Sequence, residues 1–276
     1  MMSIIITGAS DGIGAAAARQ IHRELPDTHL VLVGRNPQKT RAVADEIGAD
    51  HHVADFAHLD EVRDLAAELS TLEHIDTLAN NAGGLFSGPT QTVDGFELTW
   101  QVNYLAPYLL TNLLMDQLLS AQASVVSTSS AASVLMSRFD ADDLDSSNNY
   151  NATRAYGNAK LGNVLFTKAL HERFHSAGLN AVAFHPGVIA TNFAAETSSP
   201  MRFGYRTGLS KMLTPATAGG ENLAYFTTGV PGIHWESGRY YNDKRRPGFQ
   251  RRSAQKPALV DRVFDETANA LGVSWS

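Results

Sequence analysis

Three groupings in this sequence have residue types and spacings that could do chemistry. Tyr156 and Lys160 stand at i and i+4, so on a helix they share one face. A free phenol titrates near ~10 and exchanges protons at neutral pH only with help. A neighbouring ammonium favours the phenolate and so gives that help. A shift of about three units needs roughly 4 kcal/mol of differential stabilisation, which that ammonium together with a second nearby cation in a partly dry cleft can supply. The second grouping is the glycine-rich run Gly8-Ala9-Ser10-Asp11-Gly12-Ile13-Gly14. The third is His171-Glu172-Arg173-Phe174-His175, a literal H-E-x-x-H.

The glycine run follows the β-branched residues 4–7 and precedes an alanine-rich helical stretch. A strand, a glycine turn and a helix start make a pyrophosphate cradle, because backbone N–H groups point at the anion and missing Cβ atoms let it approach. The spacing is G-x-x-x-G-x-G rather than G-x-G-x-x-G, and a plain tight turn would use the same glycines. Its place at the first strand–helix turn favours the cradle. About twenty residues on, where NAD binders carry an acid for the ribose hydroxyls, stands Gly34-Arg35-Asn36, with Lys39 a turn later. Arginine cannot accept those bonds but forks onto a 2′-phosphate. NADP(H) is therefore expected ahead of NAD(H). The charge of Asp11 works against that preference, and the alternative for Arg35 is an ordinary solvated strand end.

In a zinc peptidase both histidines of H-E-x-x-H bind metal and the glutamate activates water, with Glu196 about where a third ligand could fall. Here the motif continues the Tyr156–Lys160 helix, placing His171 roughly 16 Å from Lys160 by helical rise. The two sets cannot share a site, and solvated histidines at a helix end fit the helix dipole. No metal is expected. A second tyrosine–lysine pair, Tyr240 and Lys244, falls in a strand-like segment where i and i+4 do not face the same partner, and is read as structural. His185, before Pro186 at a strand end, is read as packed or cofactor-adjacent.

The elements that must position these groups alternate along the chain. Short apolar runs at 4–6, 30–33, 52–54, 77–79, 125–126 and 181–184 are separated by stretches of helical period at 15–25, 38–47, 60–69, 96–119 and 155–174. A further strand near 237–241 and a helix near 258–271 follow. The pattern predicts one α/β domain over 1–276, a Rossmann-type doubly wound parallel sheet of about seven strands with helices on both faces. Ligands then bind along the edge formed by the strands' carboxyl ends. Residues 1–125 are mainly the cofactor half and 126–276 the catalytic and substrate half. Residues 192–215 mix small polar residues with Phe193, Met201, Phe203, Tyr205 and Met212, which suits a lid over an apolar ligand or a surface excursion with a few buried anchors.

The 276 residues are 43% hydrophobic and only 18% charged, which excludes disorder as the dominant state. Net charge is −6, and the one basic stretch, 244–252, lies away from the glycine loop, so nucleic acid is not an expected partner. With no cysteine, disulfide scaffolds, thiol zinc sites and cysteine nucleophiles are excluded. No stretch reaches the roughly 18 apolar residues of a membrane helix, and the N-terminus has no basic leader, so a cytoplasmic protein is expected. The long apolar helices at 96–119 and 155–174 fit either a partner chain, in a homodimer or homotetramer, or their own sheet.

With Thr7-Gly8-x-x-x-Gly12-x-Gly14, Asn80-Asn81-Ala82-Gly83, Tyr156-x-x-x-Lys160 and then 185–191, His-Pro-Gly-Val-Ile-Ala-Thr, the chain resembles the short-chain dehydrogenase/reductase family over nearly its whole length. The segments around Tyr156 and at 237–241 resemble its retinol-dehydrogenase-like branch. The resemblance implies a tetrad: Tyr156 as general acid or base, Lys160 as its activator, Ser130 rather than Ser129 as hydrogen-bond donor to the carbonyl, and Asn103 supporting a proton-relay water. It also implies that Gly8, Ser10, Asp11, Gly12, Ile13, Gly14 and Arg35 meet the cofactor. Asn81, Ala82 and Gly83 would line its adenosine side and Asp55 the adenine edge. Pro186, Gly187, Val188, Ile189 and Thr191 would cover the nicotinamide, with Tyr156 and Lys160 also in contact. The expected function is hydride transfer between NADP(H) and an alcohol or carbonyl small molecule, an apolar one if the lid reading holds. A catalytically silent NADP-binding sensor on the same fold is the rival, and a zinc peptidase the distant third.

Overall fold

The first strand, β1 (Ser3–Thr7), is buried along its whole length, as its run of isoleucines requires. In the computed structural model, which describes residues 2–140, 142–148, 150–187 and 215–275, it is an inner strand of one sheet. The other strands are β2 (His29–Gly34), β3 (Asp50–Val53), β4 (Thr77–Asn80), β5 (Ser124–Thr128), β6 (Asn180–Phe184) and β7 (Arg239–Tyr241). All pairings are parallel, in the order β3-β2-β1-β4-β5-β6-β7. The order reverses between β1 and β4, so the strand ends there open a crevice, where doubly wound sheets bind ligands.

Successive side chains of the inner strands go to opposite faces, and both faces are covered. Ile5, Val31, Val33, Leu78, Val125, Ala181 and Ala183 join one core; Ile4, Ile6, Leu30, Leu32, Ala79, Val126, Val182 and Phe184 join the other. The second face is covered by α1 (Gly12–Glu24), α2 (Pro37–Ile47) and α9 (Ala216–Thr228). The first is covered by α3 (Leu59–Leu69), α5 (Ala106–Leu113), α6 (Met115–Ser120), α8 (Ala152–Phe174) and α10 (Pro257–Leu271). Two short helices, α4 (Leu98–Trp100) and α7 (Ala132–Leu135), sit near the strand ends.

The structure differs from the sequence pattern in two instructive places. Instead of one helix over 96–119, α4 runs into a π-helical turn, Gln101–Leu105, then α5 and α6. Helix α9 has no counterpart in the sequence pattern, because its Gly219 and Gly220 read as loop. Gly220 serves close packing: a Cβ on it would stand 2.9 Å from the Ala17 nitrogen of α1. Helix α8 is buried continuously from Ala155 to Thr167 by its own chain. Among the described residues no helix is long and apolar enough to cross a membrane.

An aromatic cluster locks α5, α8 and α10 together. Tyr108 Oη donates to the Phe264 carbonyl at 2.8 Å and accepts from Trp275 Nε1 at 2.7 Å, and the Phe166 ring lies 4.9 Å from that of Tyr108. Phe166→Ala is expected to lower unfolding stability by about 3–5 kcal/mol, read as a lower urea midpoint at unchanged slope.

Candidate active site

The cradle forms where β1 turns into α1. Gly8 (φ +67) and Gly12 (φ +56) take left-handed conformations, and a Cβ on Gly8 would meet the Ala82 Cα at 2.8 Å. A Cβ on Gly14 would collide with the Gly8 carbonyl. The turn is thus closed against the β4 loop, with the α1 N-terminus opening toward it. Asp11 caps that helix, its carboxylate accepting from the Gly12 amide at 2.8 Å. The same carboxylate pairs with Lys39 Nζ at 2.9 Å, an exposed pair that offsets the charge weighed against a phosphate. Gly34 ends β2 so close to Ser10 that a Cβ there would stand 2.9 Å from the Ser10 Cβ. Arg35 therefore emerges, exposed, beside Ser10. Asp55 lies just past β3 with one carboxylate oxygen accepting from the Ala57 amide at 3.0 Å.

The carboxyl ends of β1, β4 and β5 are tied together by Asn81. Its amide nitrogen and that of Ala82 donate to Thr7 Oγ1 at 2.9 and 3.0 Å, its Nδ2 donates to the Thr7 carbonyl, and its Oδ1 accepts from Thr128 Oγ1 at 3.2 Å. Two residues on, Gly83 has no space for a side chain. A Cβ there would strike Asn103 Oδ1 and stand 3.1 Å from Lys160 Nζ. Asn103 sits in the π-helical turn, fully buried, with its amide holding Gly84 at both N–H (3.1 Å) and C=O (2.8 Å) and donating to the Thr99 carbonyl at 2.8 Å. A π-turn at this position fits the tendency of such distortions to occur at functional sites.

Tyr156 and Lys160 share the inward face of α8. Lys160 Nζ lies 5.7 Å from the Tyr156 ring centroid and donates to the Thr128 carbonyl at 3.1 Å. The lysine is 2% exposed, and burial alone lowers its pKa to about 7. Gly157 and Gly162 let the helix come this close: their absent Cβ atoms would meet the Ser137 nitrogen at 2.7 Å and the Tyr104 ring at 2.8 Å. Ser129 is buried and donates to the Lys160 carbonyl at 2.7 Å, a structural use. Ser130 is partly open, and its Oγ accepts from the Ala132 amide at 3.1 Å, which leaves the hydroxyl proton to donate elsewhere. Its carbonyl accepts from Ser133 Oγ at 2.7 Å and from Tyr240 Oη at 3.2 Å. Leu85, Ala132 and Met136 pack with Tyr156.

Of the remaining sequence candidates, Pro186 and Gly187 (φ +102) follow β6, and the Gly187 amide donates to His185 Nδ1 at 3.3 Å. Burial lowers the pKa of His185, with Asp243 opposing. Val188, Ile189, Thr191 and Glu196 lie outside the described residues, as does the proposed lid except Pro215. Tyr240 points inward to Ser130, and burial pushes its pKa up to about 12, so it is no rival acid. His171 and His175 sit at the far end of α8, bonded through Nδ1 to Ser237 Oγ (3.0 Å) and the Leu179 carbonyl (3.2 Å), beside a cavity of about 900 Å³. Among the described residues, no three His, Asp or Glu side chains converge to hold a metal. Sequence reasoning missed the Thr7 hydroxyl as a tie, the Thr128 carbonyl as the lysine's acceptor and Tyr240 as the support of Ser130. A buried threonine ending an isoleucine strand was the only visible signal among these.

A doubly wound sheet with a glycine cradle at its switch point and a buried tyrosine–lysine pair beside it defines a dinucleotide-dependent class of protein. The family model described as short chain dehydrogenase matches residues 2–202. The chain is 34% identical to the "Putative daunorubicin C-13 ketoreductase DnrU" of Streptomyces sp. (strain C5), over 98% of this chain and 92% of that one. It is 30% identical to mouse retinol dehydrogenase 12, over 99% and 87% of the two chains. A crystal structure of a putative uncharacterized protein from Mycobacterium paratuberculosis superimposes with a TM-score of 0.79 at 26% identity, covering 100% of this chain and 95% of that one. The chain belongs to the short-chain dehydrogenase/reductase family, in its retinol-dehydrogenase-like branch. It is an oxidoreductase of the CH–OH and C=O class.

The buried ammonium gives a first test of this geometry. With a folded pKa near 7 and the ordinary value at 10.5, the charged lysine costs stability at low pH, and the fold gains stability as pH rises from 7 toward 10.5. Lys160→Met in the cofactor-free protein is therefore expected to be about 1–4 kcal/mol more stable than wild type at pH 6.5. That gap should narrow by pH 9. Urea unfolding at both pH values measures it, and a wild type more stable than the variant at pH 6.5 contradicts it.

Proposed function

We propose that the protein interconverts an apolar alcohol and its carbonyl compound with NADP(H), using Tyr156, Lys160, Ser130 and Asn103. The observation that carries this reading is the convergence at one strand edge of a buried ammonium, a phenol and a serine hydroxyl, beside a glycine cradle. The cradle suits a dinucleotide: Gly8, Gly12 and Gly14 leave the backbone bare of side chains, and Ser10, Arg35 and Lys39 gather at the end of β2, where a 2′-phosphate would be met. The exposed Asp11–Lys39 pair is weak enough to open for it. When bound, the nicotinamide supplies or accepts the hydride.

The chain's own residues handle the proton and the oxygen. In reduction, Ser130 Oγ–H donates to the carbonyl oxygen, since the Ala132 amide already occupies one of its lone pairs. Tyr156 Oη–H gives its proton to that oxygen, and in oxidation the phenolate takes one from the alcohol. Lys160, when charged, favours the phenolate over the neutral phenol. Asn103 acts indirectly, holding Gly84 and hence the loop that includes Gly83 against Lys160. An apolar substrate is supported by Leu85, Ala132 and Met136 around Tyr156, and by exposed Leu135 next to Met136.

Two experiments test this. Fluorescence titration should give tighter binding of NADPH than NADH, and Arg35→Ala should remove most of the difference, about 1–3 kcal/mol for a charge-assisted pair. Equal affinities in the wild type would end the 2′-phosphate argument. Tyr156→Phe should cost at least about 100-fold in turnover with NADPH binding preserved; a variant that keeps most of its rate would refute the mechanism.

A further inference from the structure

Glu97 is 5% exposed, and nothing in the chemistry of the tyrosine–lysine pair uses it. One of its oxygens is spent in an ordinary way, since Oε2 caps α4 by accepting from the Trp100 amide at 2.8 Å. The other is not. Oε1 is buried with Thr99 Oγ1 and Tyr150 Oη, and none of the three makes a well-directed hydrogen bond. They are nonetheless neighbours. The amides of Thr99 and Trp100 and the hydroxyls of Thr99 and Tyr150 all pull the Glu97 carboxyl down, while burial, the larger effect, raises it; Tyr150 is pushed up to about 12 by burial and by Glu97. A cap alone needs one carboxylate oxygen and gains nothing from burying the second.

What the cluster joins gives it meaning. Thr99 lies one turn before Asn103, and its carbonyl accepts from Asn103 Nδ2 at 2.8 Å. Tyr150 directly precedes Asn151, whose Oδ1 caps α8 by accepting from the Arg154 amide at 3.0 Å, and Tyr156 follows in the second turn of that helix. Glu97 thus stands at the seam between the segment that carries Asn103 and the start of the helix that carries Tyr156. We propose that Glu97 is a positioning residue for proton transfer, joining the Asn103 turn to the Tyr156 helix through the hydroxyls of Thr99 and Tyr150. The proposal rests on the oxidoreductase reading of the site, and it assigns Glu97 no contact with substrate or cofactor.

The test uses the full chain with Glu97→Ala, Glu97→Gln, Tyr150→Phe and the Glu97→Ala/Tyr150→Phe double variant. Readouts are NADPH-dependent reduction of decanal, NADPH affinity and hydrogen exchange. Glu97→Ala and Tyr150→Phe should each lower kcat about tenfold, the scale of a small misplacement of catalytic groups. KM for decanal and Kd for NADPH should move less than about threefold. Glu97→Gln, which keeps the cap acceptor and can still bond both hydroxyls, should restore kcat to within about threefold of wild type. The double variant should be no slower than the slower single one, since both break one linkage. Backbone exchange should rise together in 99–105 and 152–157 in both single variants, a readout that stands even if decanal proves no substrate. Should Glu97→Ala fold poorly, Tyr150→Phe, at a half-buried site, carries the test alone. Wild-type kcat in Tyr150→Phe, or faster exchange confined to 97–101, overturns the proposal. Full activity in Glu97→Ala with an inactive Tyr156→Phe overturns the role of Glu97 alone, whereas an active Tyr156→Phe overturns the oxidoreductase reading itself.

Discussion

A lysine ammonium held out of water against the end of a β-strand is the constraint around which this fold is arranged. Burial depresses the Lys160 pKa to about 7, and no carboxylate is among the causes acting on it. The protein offers it a backbone acceptor, the Thr128 carbonyl, and the ring of Tyr156, a phenol that can ionise. Reaching that place requires α8 to lie unusually close to its neighbours. Glycines 157 and 162 let it do so, one against the 136–137 backbone and the other against Tyr104. Gly83 does the same from the β4 side. The local cost of a solvent-starved cation is offset by the two packed cores on either side of the sheet.

The hydrogen bonds that hold the strand ends show a division of labour. Thr7, Asn81 and Thr128 spend their polar groups on one another, so three strands finish in a fixed register. Ser129 is likewise spent, on the Lys160 carbonyl, while Ser130 beside it keeps a hydroxyl proton for the cleft. Neighbouring residues of one type thus differ in role because, just past the end of β5, one is buried against α8 and the next lies at the rim.

Much of this was legible in the chain. The apolar runs around Ile5, Val31 and Val182 are short, continuous and separated by helical periods, which only a parallel sheet covered on both faces accommodates. The spacing of Tyr156 and Lys160 gave their shared face, and the glycines after Thr7 gave the turn. Other features depend on tertiary contact and leave no local mark. The π-turn at 101–105 follows from anchoring Asn103 to Gly84 and from packing Tyr104 on Gly162. Helix α9 is hidden because Gly219 and Gly220 lower its helical propensity, and what favours Gly220 is the closeness of α1. The partner of Lys160 is a main-chain carbonyl, which no side-chain pattern encodes.

The cross-links between α5 and α10 bear on how far the two functional halves are separate bodies. The Tyr108 hydroxyl, in the first half of the chain, is satisfied by the Phe264 carbonyl and the Trp275 indole, residues 156 and 167 positions away. Its ring is wholly buried among Phe166, Phe264 and Trp275. A fragment ending near residue 125 would expose that ring together with much of α5, and would end inside β5 while lacking β6, the strand paired to its far side. A boundary near residue 125 therefore does not separate two folding units. Autonomous expression of either half, or exchange of halves between relatives, runs against a single shared core, and the chain folds through contacts of long sequence separation.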